Sequence, residues 1–126
     1  GSKIVVFCHS QHRNIESLWR LMPDPILEIS KETAETRNIS NGDWTKVTTP
    51  VGHFVARAKL VKNIEPRSVF VQHGWWIEGA ADTHYSPDNP MAANMNRAIP
   101  TDTADPISGS IPLRNSACDV ERMDGW

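Results

Sequence analysis

The sequence predicts a mainly β domain that closes into a barrel, and three observations lead to this prediction. Apolar and polar residues alternate across 44–61, the period-two pattern of half-buried strands. Short runs at 3–7, 25–29, 68–72 and 117–122 have the apolar and β-branched composition of further strands. Only two short stretches have helical spacing. Roughly six short strands in an open sheet would leave unpaired edges, and closure into a barrel removes them.

The first half of the chain is predicted to alternate these strands with two short helices. A polar cluster at 8–13 follows the first strand, so a loop begins there. Asn14 can cap a helix that the prolines at positions 23 and 25 end. Its apolar face comprises Ile15, Leu18, Trp19 and Met22. Ser30 can cap a second helix that runs to about Arg37, and 41–43 is a turn.

The middle of the chain is predicted to form a β-hairpin. Its strands are 44–49 and 53–61, joined by a turn at 50–52, and a further turn follows at 63–67. In the second strand Phe54, Ala56, Ala58 and Leu60 share the face that is expected to enter the core. Residues 76–116 have little periodicity, and a loop of that length in a compact domain is usually functional or disordered. Four apolar residues favour an ordered loop with a function: Trp75, Trp76, Tyr85 and Ile107.

Length, charge and cysteine content restrict the function classes. The 126 residues are enough for one domain with one core. A net charge of −2 with both signs interspersed offers no basic surface for nucleic acid. No apolar run approaches the roughly 20 residues that span a bilayer, so membrane insertion is not expected. Cys8 and Cys118 are too few for a disulfide framework, and we expect both to be small buried hydrophobes.

The loop after the first strand is the first candidate site. It carries His9, Ser10, His12 and Arg13 ahead of a helix start, a combination that can bind phosphate. A capped helix with surface polar residues is the alternative. A metal site formed by Cys8 and the two histidines would lack a fourth ligand, and a nucleophilic Cys8 would lack an identifiable orienting carboxylate. We therefore predict neither metal-ligating nor catalytic residues in this chain.

Two further segments are candidate binding sites. In His73-Gly74-Trp75-Trp76, the glycine permits an unusual φ and the indoles could form one wall of a flat heteroaromatic pocket. The alternative interpretation, to which we give equal weight, is that both tryptophans fill the end of the barrel. Asn94, Asn96 and the later Arg114 offer donors and acceptors that match a pterin or purine edge, although local Asx turns would explain the asparagines too.

Together these segments resemble the C-terminal molybdopterin-dinucleotide-binding domain of the dimethyl sulfoxide reductase superfamily. The likeness is nearest to the subgroup around thiosulfate and polysulfide reductase catalytic subunits. It covers essentially the whole chain through short motifs whose order and spacing are together specific. These are FCHSQHR at 7–13, PDPILEISKETA at 23–34, NGDW at 41–44, TPVG at 49–52, QHGWW at 72–76, NMN at 94–96, DPISGS at 105–110 and LRNSAC at 113–118.

The resemblance implies a six-stranded double-psi β-barrel that helps to hold bis(molybdopterin guanine dinucleotide) with molybdenum or tungsten. It implies that 1–13 hold pterin and phosphate groups, with Lys3 where the family often has arginine. Asn94 and Asn96 would lie near the pterin, Arg114 would contact the cofactor, and 73–76 would line its rim. Gly1-Ser2 is either native sequence matching the family pattern or the remnant of a tag.

The resemblance also implies that the chain is one part of a larger catalytic subunit. The family's metal ligand and iron–sulfur cysteines lie in upstream domains, and Cys8 does not match the ligand position. The implied partners are those upstream domains and an iron–sulfur electron-transfer subunit. We expect the domain alone to be inactive, to bind cofactor weakly or not at all, and to have a mobile segment at 77–115. The alternatives are a free-standing barrel acting as an accessory or interaction module, and a self-processing barrel enzyme cleaving at Gly109-Ser110.

Overall fold

The protein is a mainly β domain with a few short helices. The computed structural model describes residues 5–8, 11–12, 14–75, 94–111, 113 and 116–124. The strands of the described part are β1 (Ile26–Ser30), β2 (Trp44–Thr49), β3 (Gly52–Val61), β4 (Val69–Val71) and β5 (Asp119–Arg122). Its helices are α1 (Glu16–Leu21), α2 (Lys31–Thr36) and a 3-10 helix at Met95–Ala98. None of the helices in these ranges is long and apolar enough to cross a membrane.

The strands form one five-stranded sheet in the order β4-β1-β3-β2-β5. β1 and β3 are parallel, with Ile26 opposite Arg57 and Ser30 opposite Val61, and the other pairs are antiparallel. Within the described residues β4 and β5 each pair with one strand, so the sheet is not closed and the predicted six-stranded barrel is not confirmed. Val5 and Val6 form a bend and Phe7 is in no strand, which contradicts that part of the strand predicted at 3–7, and positions 3 and 4 lie outside the described ranges.

The β2–β3 hairpin confirms the period-two prediction. Phe54, Ala56 and Ala58 are buried on the predicted face, and Leu60 is partly buried against the same core. Val55 points to the opposite face and is also fully buried, so β3 is covered on both sides there. β4 was expected to be a buried strand, but Phe70 is 39% exposed because it points away from the face on which Val69 and Val71 pack against the main core.

The two helices begin in different ways. The Ser30 Oγ accepts a hydrogen bond from the Thr33 backbone N–H at 3.1 Å, which confirms the predicted cap of α2. The N-cap of α1 is Ile15, whose side chain makes no capping bond, so the predicted cap at Asn14 is wrong. Asn14 instead lies in the turn that precedes Ile15.

Two hydrophobic clusters hold the domain together. The main cluster lies against the sheet and includes Leu27, Ile29, Val47 and Phe54. The second cluster consists of buried Phe7 and Trp75 with four partly buried residues, Val6, Leu18, Trp19 and Met22. Leu18, Trp19 and Met22 belong to the predicted apolar face of α1, which confirms that part of it, whereas Ile15 is 41% exposed at the N-cap. The second cluster therefore joins the start of the chain to the segment that follows β4.

Two expectations about single residues are wrong. Cys8 and Cys118 are exposed thiols rather than buried hydrophobes. Ile107 is 95% exposed and does not anchor the long segment. In its place Met95, Ala98 and Ile99 enter the main cluster. The Asp105 carboxylate holds the Ile107 turn by accepting bonds from the backbone N–H groups of Ile107 and Ser108, so the tip needs no apolar contact.

Candidate functional site

The first candidate loop is a tight reversal of the chain. The Gln11 N–H donates to the Cys8 carbonyl at 2.9 Å, and the two residues form an isolated β-bridge. His12 follows with a left-handed φ of 68° and an exposed side chain. Its carbonyl accepts from the Ile15 N–H at 3.1 Å, which leads the chain into α1. The predicted site residues Lys3, His9, Ser10 and Arg13 lie outside the described residues.

The start of α1 contributes little to anion binding. Glu16 lies in the first turn, and its carboxylate is paired with Arg20 at 2.6 Å. A carboxylate at a helix N-terminus already interacts with the positive end of the helix dipole and repels a second anion. A phosphate held by this loop would therefore depend on its side chains and backbone rather than on the helix start.

Trp75 is an interior side chain. It is 4% exposed, and the edge of Phe7 meets its ring with centroids 6.3 Å apart and an interplanar angle of 86°. Trp19 packs on the same indole at 5.9 Å. The Trp75 Nε1–H donates to the Gln72 Oε1 at 3.2 Å. These contacts support the plug interpretation for Trp75, whereas Trp76 lies outside the described residues.

The contact between Phe7 and Trp75 brings two of the predicted segments together. Phe7 immediately precedes the Cys8–Gln11 bridge, and Trp75 follows Gly74, whose φ of 80° confirms the unusual backbone expected there. His73, on the other side of this glycine, is partly buried. The second cluster, through the Phe7–Trp75 contact, thus links the residue before the first loop to the residue after the His73–Gly74 turn.

The third predicted segment is the 3-10 helix. The Asn94 Oδ1 accepts from the Asn96 N–H at 3.1 Å, the local Asx turn that was the alternative for this pair. The Thr49 Oγ1 donates to the Ala98 carbonyl at 2.7 Å, which ties the helix to the end of β2. Asn94 is partly buried and Asn96 is exposed. The local turn therefore holds Asn94 and leaves the Asn96 side chain at the surface.

The chain after β4 and the 3-10 helix both lie in the direction of the first residues of β1 and β3. The Gln72 N–H donates to the carbonyl of Ile26, the first residue of β1, so the chain after β4 continues beyond that end. The 3-10 helix closely approaches Gly52, the first residue of β3, which runs parallel to β1. The Phe7–Trp75 contact brings His73 and Gly74 toward the first loop, whereas Asn94 and Asn96 lie beside Gly52, five residues before the Arg57 that is opposite Ile26. Arg114, the last predicted site residue, lies outside the described ranges.

A cavity also lies on the side of the sheet where the 3-10 helix packs, and Met95 and Ala98 of that helix line it. This space of about 700 Å³ lies between β4 and the segment that leads into β5. Its lining includes core residues such as Leu27 and Phe54 and no predicted site residue. This cavity marks the gap between the two edge strands of the sheet.

Cys118 lines this cavity, where its thiol is partly desolvated. Desolvation raises the pKa of its thiol, which outweighs the opposing effect of the Arg37 charge. A thiol with a raised pKa stays protonated near neutral pH. In the described ranges no group of three histidine, cysteine or acidic side chains is arranged to hold a metal ion.

The donor set at the candidate site is chemically suited to a polar heterocycle. Imidazole and carboxamide groups supply both hydrogen-bond donors and acceptors, as the edges of pterin and guanine require. Two of these groups, His12 and Asn96, are exposed and accessible.

Comparisons with known proteins agree with this chemistry. A model of the family described as the molydopterin dinucleotide binding domain matches residues 2–117. The dopamine dehydroxylase of Eggerthella lenta is 30% identical over 114 residues, which are 90% of this chain and 11% of that protein. A putative dimethyl sulfoxide reductase catalytic subunit of Halobacterium salinarum is 34% identical over 76 residues, 60% of this chain and 9% of that one. The chain thus spans about a tenth of these relatives.

A solved structure has the same fold. Acetylene hydratase from Pelobacter acetylenicus matches 98% of this chain with a TM-score of 0.86 and 22% identity, over 18% of its own chain. The family match covers nearly the whole sequence, including all the segments assembled above. The chain therefore belongs to the molydopterin dinucleotide binding domain family, as its resemblance to the dimethyl sulfoxide reductase superfamily predicted.

Proposed function

We propose that this chain is the domain that closes over one face of bis(molybdopterin guanine dinucleotide) in a larger molybdenum- or tungsten-dependent oxidoreductase subunit. The observation that carries the proposal is the Phe7–Trp75 contact, because it sets the first loop beside the His73–Gly74 turn. The small share of each relative that the chain covers supports a place in a longer polypeptide. A subunit of thiosulfate or polysulfide reductase type remains the predicted subgroup.

The proposed contacts divide among the three segments. The first loop would hold phosphate and pterin groups through Lys3, His9, Ser10, His12 and Arg13. The 3-10 helix would present Asn94 and Asn96 to the pterin edge, and Arg114 would add a positive charge. His73, Gly74 and Trp76 would line the rim. Trp75 was predicted among these contacts, and its burial favours a supporting role beneath the rim.

When bound, the cofactor would supply the redox-active metal of the parent enzyme. The residues of this chain would then bind and orient the nucleotide and exclude water from one of its faces. The described part supports these roles, since its exposed groups at the site, His12 and Asn96, are hydrogen-bonding side chains. Electrons would reach the cofactor through the iron–sulfur partner and upstream domains that the resemblance implies.

We further propose that the complete subunit closes this sheet into the six-stranded double-psi barrel. β4 and β5 are the two ends of the described strand order, and a cavity lies between β4 and the approach to β5. A sixth strand would satisfy the hydrogen-bonding groups of these edges, and closure would remove the exposed edges. The fold likeness to acetylene hydratase is compatible with this completion.

The test is cofactor retention in the full-length subunit that carries this chain. We would purify it anaerobically and measure metal and acid-released guanine nucleotide per polypeptide. The double variant His12→Ala/Asn96→Ala should lose about tenfold or more in retained cofactor, since several hydrogen bonds of about 1 kcal/mol each are removed. Lys62→Ala, an exposed residue just beyond the opposite end of β3, is the control and should retain the wild-type content.

Two results would contradict the proposal. One is a wild-type subunit that is folded and active without metal or guanine nucleotide. The other is a double variant whose cofactor content equals that of Lys62→Ala.

A further inference from the structure

Gln72 makes an interior contact that its position next to the predicted rim did not reveal. Its side chain is 5% exposed, and its Oε1 accepts from the indole N–H of Trp75 at 3.2 Å. Both partners are buried, and the Gln72 backbone N–H reaches the Ile26 carbonyl at the start of β1. Gln72 therefore connects the sheet to the second cluster.

Because both partners are buried, this hydrogen bond helps to determine the orientation of the indole. A tryptophan N–H inside a protein loses much more by being unpaired than a solvated one does. Phe7 and Trp19 pack on the ring and restrict its tilt. The Gln72 oxygen thus fixes the direction of the N–H and with it the rotation of the ring.

The orientation of this indole affects both neighbouring site segments. Phe7 meets the ring edge-on and leads directly into the Cys8–Gln11 bridge of the first loop. On the other side, Gly74 turns the chain with φ 80° between His73 and Trp75. A ring that rotates or leaves the cluster would free both segments at once.

We propose that Gln72 is a positioning residue of the cofactor site. It does not touch the cofactor, and it acts by orienting the indole that sets the first loop against the His73–Gly74 turn. This inference rests on the proposed function, because it concerns where the same site holds its ligand. It adds a residue to the site that lies beneath the groups in contact with the nucleotide.

The test compares Gln72→Leu with Thr45→Val in the full-length subunit. Thr45 is also fully buried, and its hydroxyl donates to the Ala56 carbonyl at 2.7 Å within the sheet. Thr45→Val therefore removes one interior hydrogen bond away from the second cluster. The two readouts are hydrogen exchange of the peptide spanning 7–12 and the metal and guanine nucleotide content.

We expect Gln72→Leu to raise exchange in that peptide by about tenfold, the factor that corresponds to one lost interior hydrogen bond. It should lower cofactor content in parallel. Thr45→Val should lower the melting temperature while leaving both readouts at wild-type values. Trp75→Phe removes the donor and keeps an aromatic ring, so it should raise exchange at 7–12 even if Gln72→Leu fails to fold.

A third comparison uses the variant that carries both substitutions. The double variant Gln72→Leu/Trp75→Phe leaves neither a buried indole N–H nor a buried amide without its partner. Its exchange at 7–12 should therefore be slower than that of Gln72→Leu alone. Additive effects of the two changes would contradict the inference.

The outcomes separate this inference from the proposed function. A wild-type subunit without cofactor would overturn the function itself. Cofactor in the wild type, together with Gln72 and Trp75 variants whose exchange and cofactor content match those of Thr45→Val, would overturn the role of Gln72 alone.

Discussion

Single residues set the tightest contacts around the candidate site, and Gly52 is the clearest example. A Cβ at this position would lie 2.4 Å from the carbonyl oxygen of Arg97 and 3.3 Å from its carbon. These atoms belong to the backbone of the 3-10 helix, so no side-chain rotation can relieve the overlap. The absence of a Cβ at Gly52 thus allows the helix that carries Asn96 to approach the start of β3.

Gly52→Ala should displace the 3-10 helix and lower the free energy of unfolding by about 1–3 kcal/mol, the usual cost of overpacking. Urea denaturation measures the loss, and amide chemical shifts of 94–98 report the displacement. Gly42→Ala is the matched control, because its φ of 90° strains an alanine but nothing lies within 4 Å of the new Cβ. Unchanged shifts at 94–98 in Gly52→Ala would contradict this explanation.

At the scale of elements, one charged contact joins α2 to β5. The Arg37 side chain, at the C-cap of α2, donates to the Asp119 carboxylate and to the Val120 carbonyl. The hydrogen bond from Arg37 and a second one from the Val120 N–H hold the pKa of the Asp119 carboxyl below its ordinary value of 3.8. β5 pairs only with β2 among the described strands, so this contact gives it a second attachment.

This contact predicts a pH dependence of stability. A carboxyl whose pKa is lowered on folding stabilises the protein above its unfolded pKa, and the contribution is lost as pH falls through the folded value. Asp119→Asn should therefore be less stable than the wild type at pH 7, with a gap that narrows below pH 3.8. Urea midpoints at pH 7 and pH 3 measure this gap. Glu121→Gln, an exposed carboxyl on the same strand, is the control, and a gap that stays constant with pH would exclude the Asp119 explanation.

At the scale of the whole molecule, the main hydrophobic cluster stabilises the sheet, and the second cluster packs beside the candidate site. The main cluster covers the sheet and includes the buried residues of the 3-10 helix. The second cluster joins α1, Phe7 and Trp75 beside the loop predicted to bind cofactor. Small peripheral clusters open at lower free energy than the main core, so the second cluster should open without unfolding of the sheet.

Native-state hydrogen exchange can test this division. Phe7→Ala should speed exchange in α1 and in the first loop while amides of β1 and β3 keep their protection. Leu27→Ala, in the centre of the main cluster, should cost about 2–5 kcal/mol and speed exchange throughout the domain. Equal effects of the two substitutions on β3 would mean that the clusters unfold as one unit.

The hairpin and the helix cap were predictable because their signals are local. The alternation in 44–61 and the hydroxyl of Ser30 act on neighbours within a few residues, and the structure confirms both. Asn14 shows the limit of such reasoning. Its side chain is of a type that caps helices, but the turn after His12 places Ile15 at the N-cap of α1 instead. The pattern at 3–7 also suits a strand, yet Phe7 turns toward Trp75 and the chain bends.

By itself the sequence determined the β class, the local turns and, through motifs of specific order and spacing, membership of the molydopterin dinucleotide binding domain family. The tertiary structure decided the strand order, the buried role of Trp75 and the hydrogen bond of Gln72 that supports it. It also decided that Met95 rather than Ile107 enters the core. The physical reason is range: alternation and capping act between neighbours in sequence, whereas burial and pairing depend on residues brought together from distant parts of the chain.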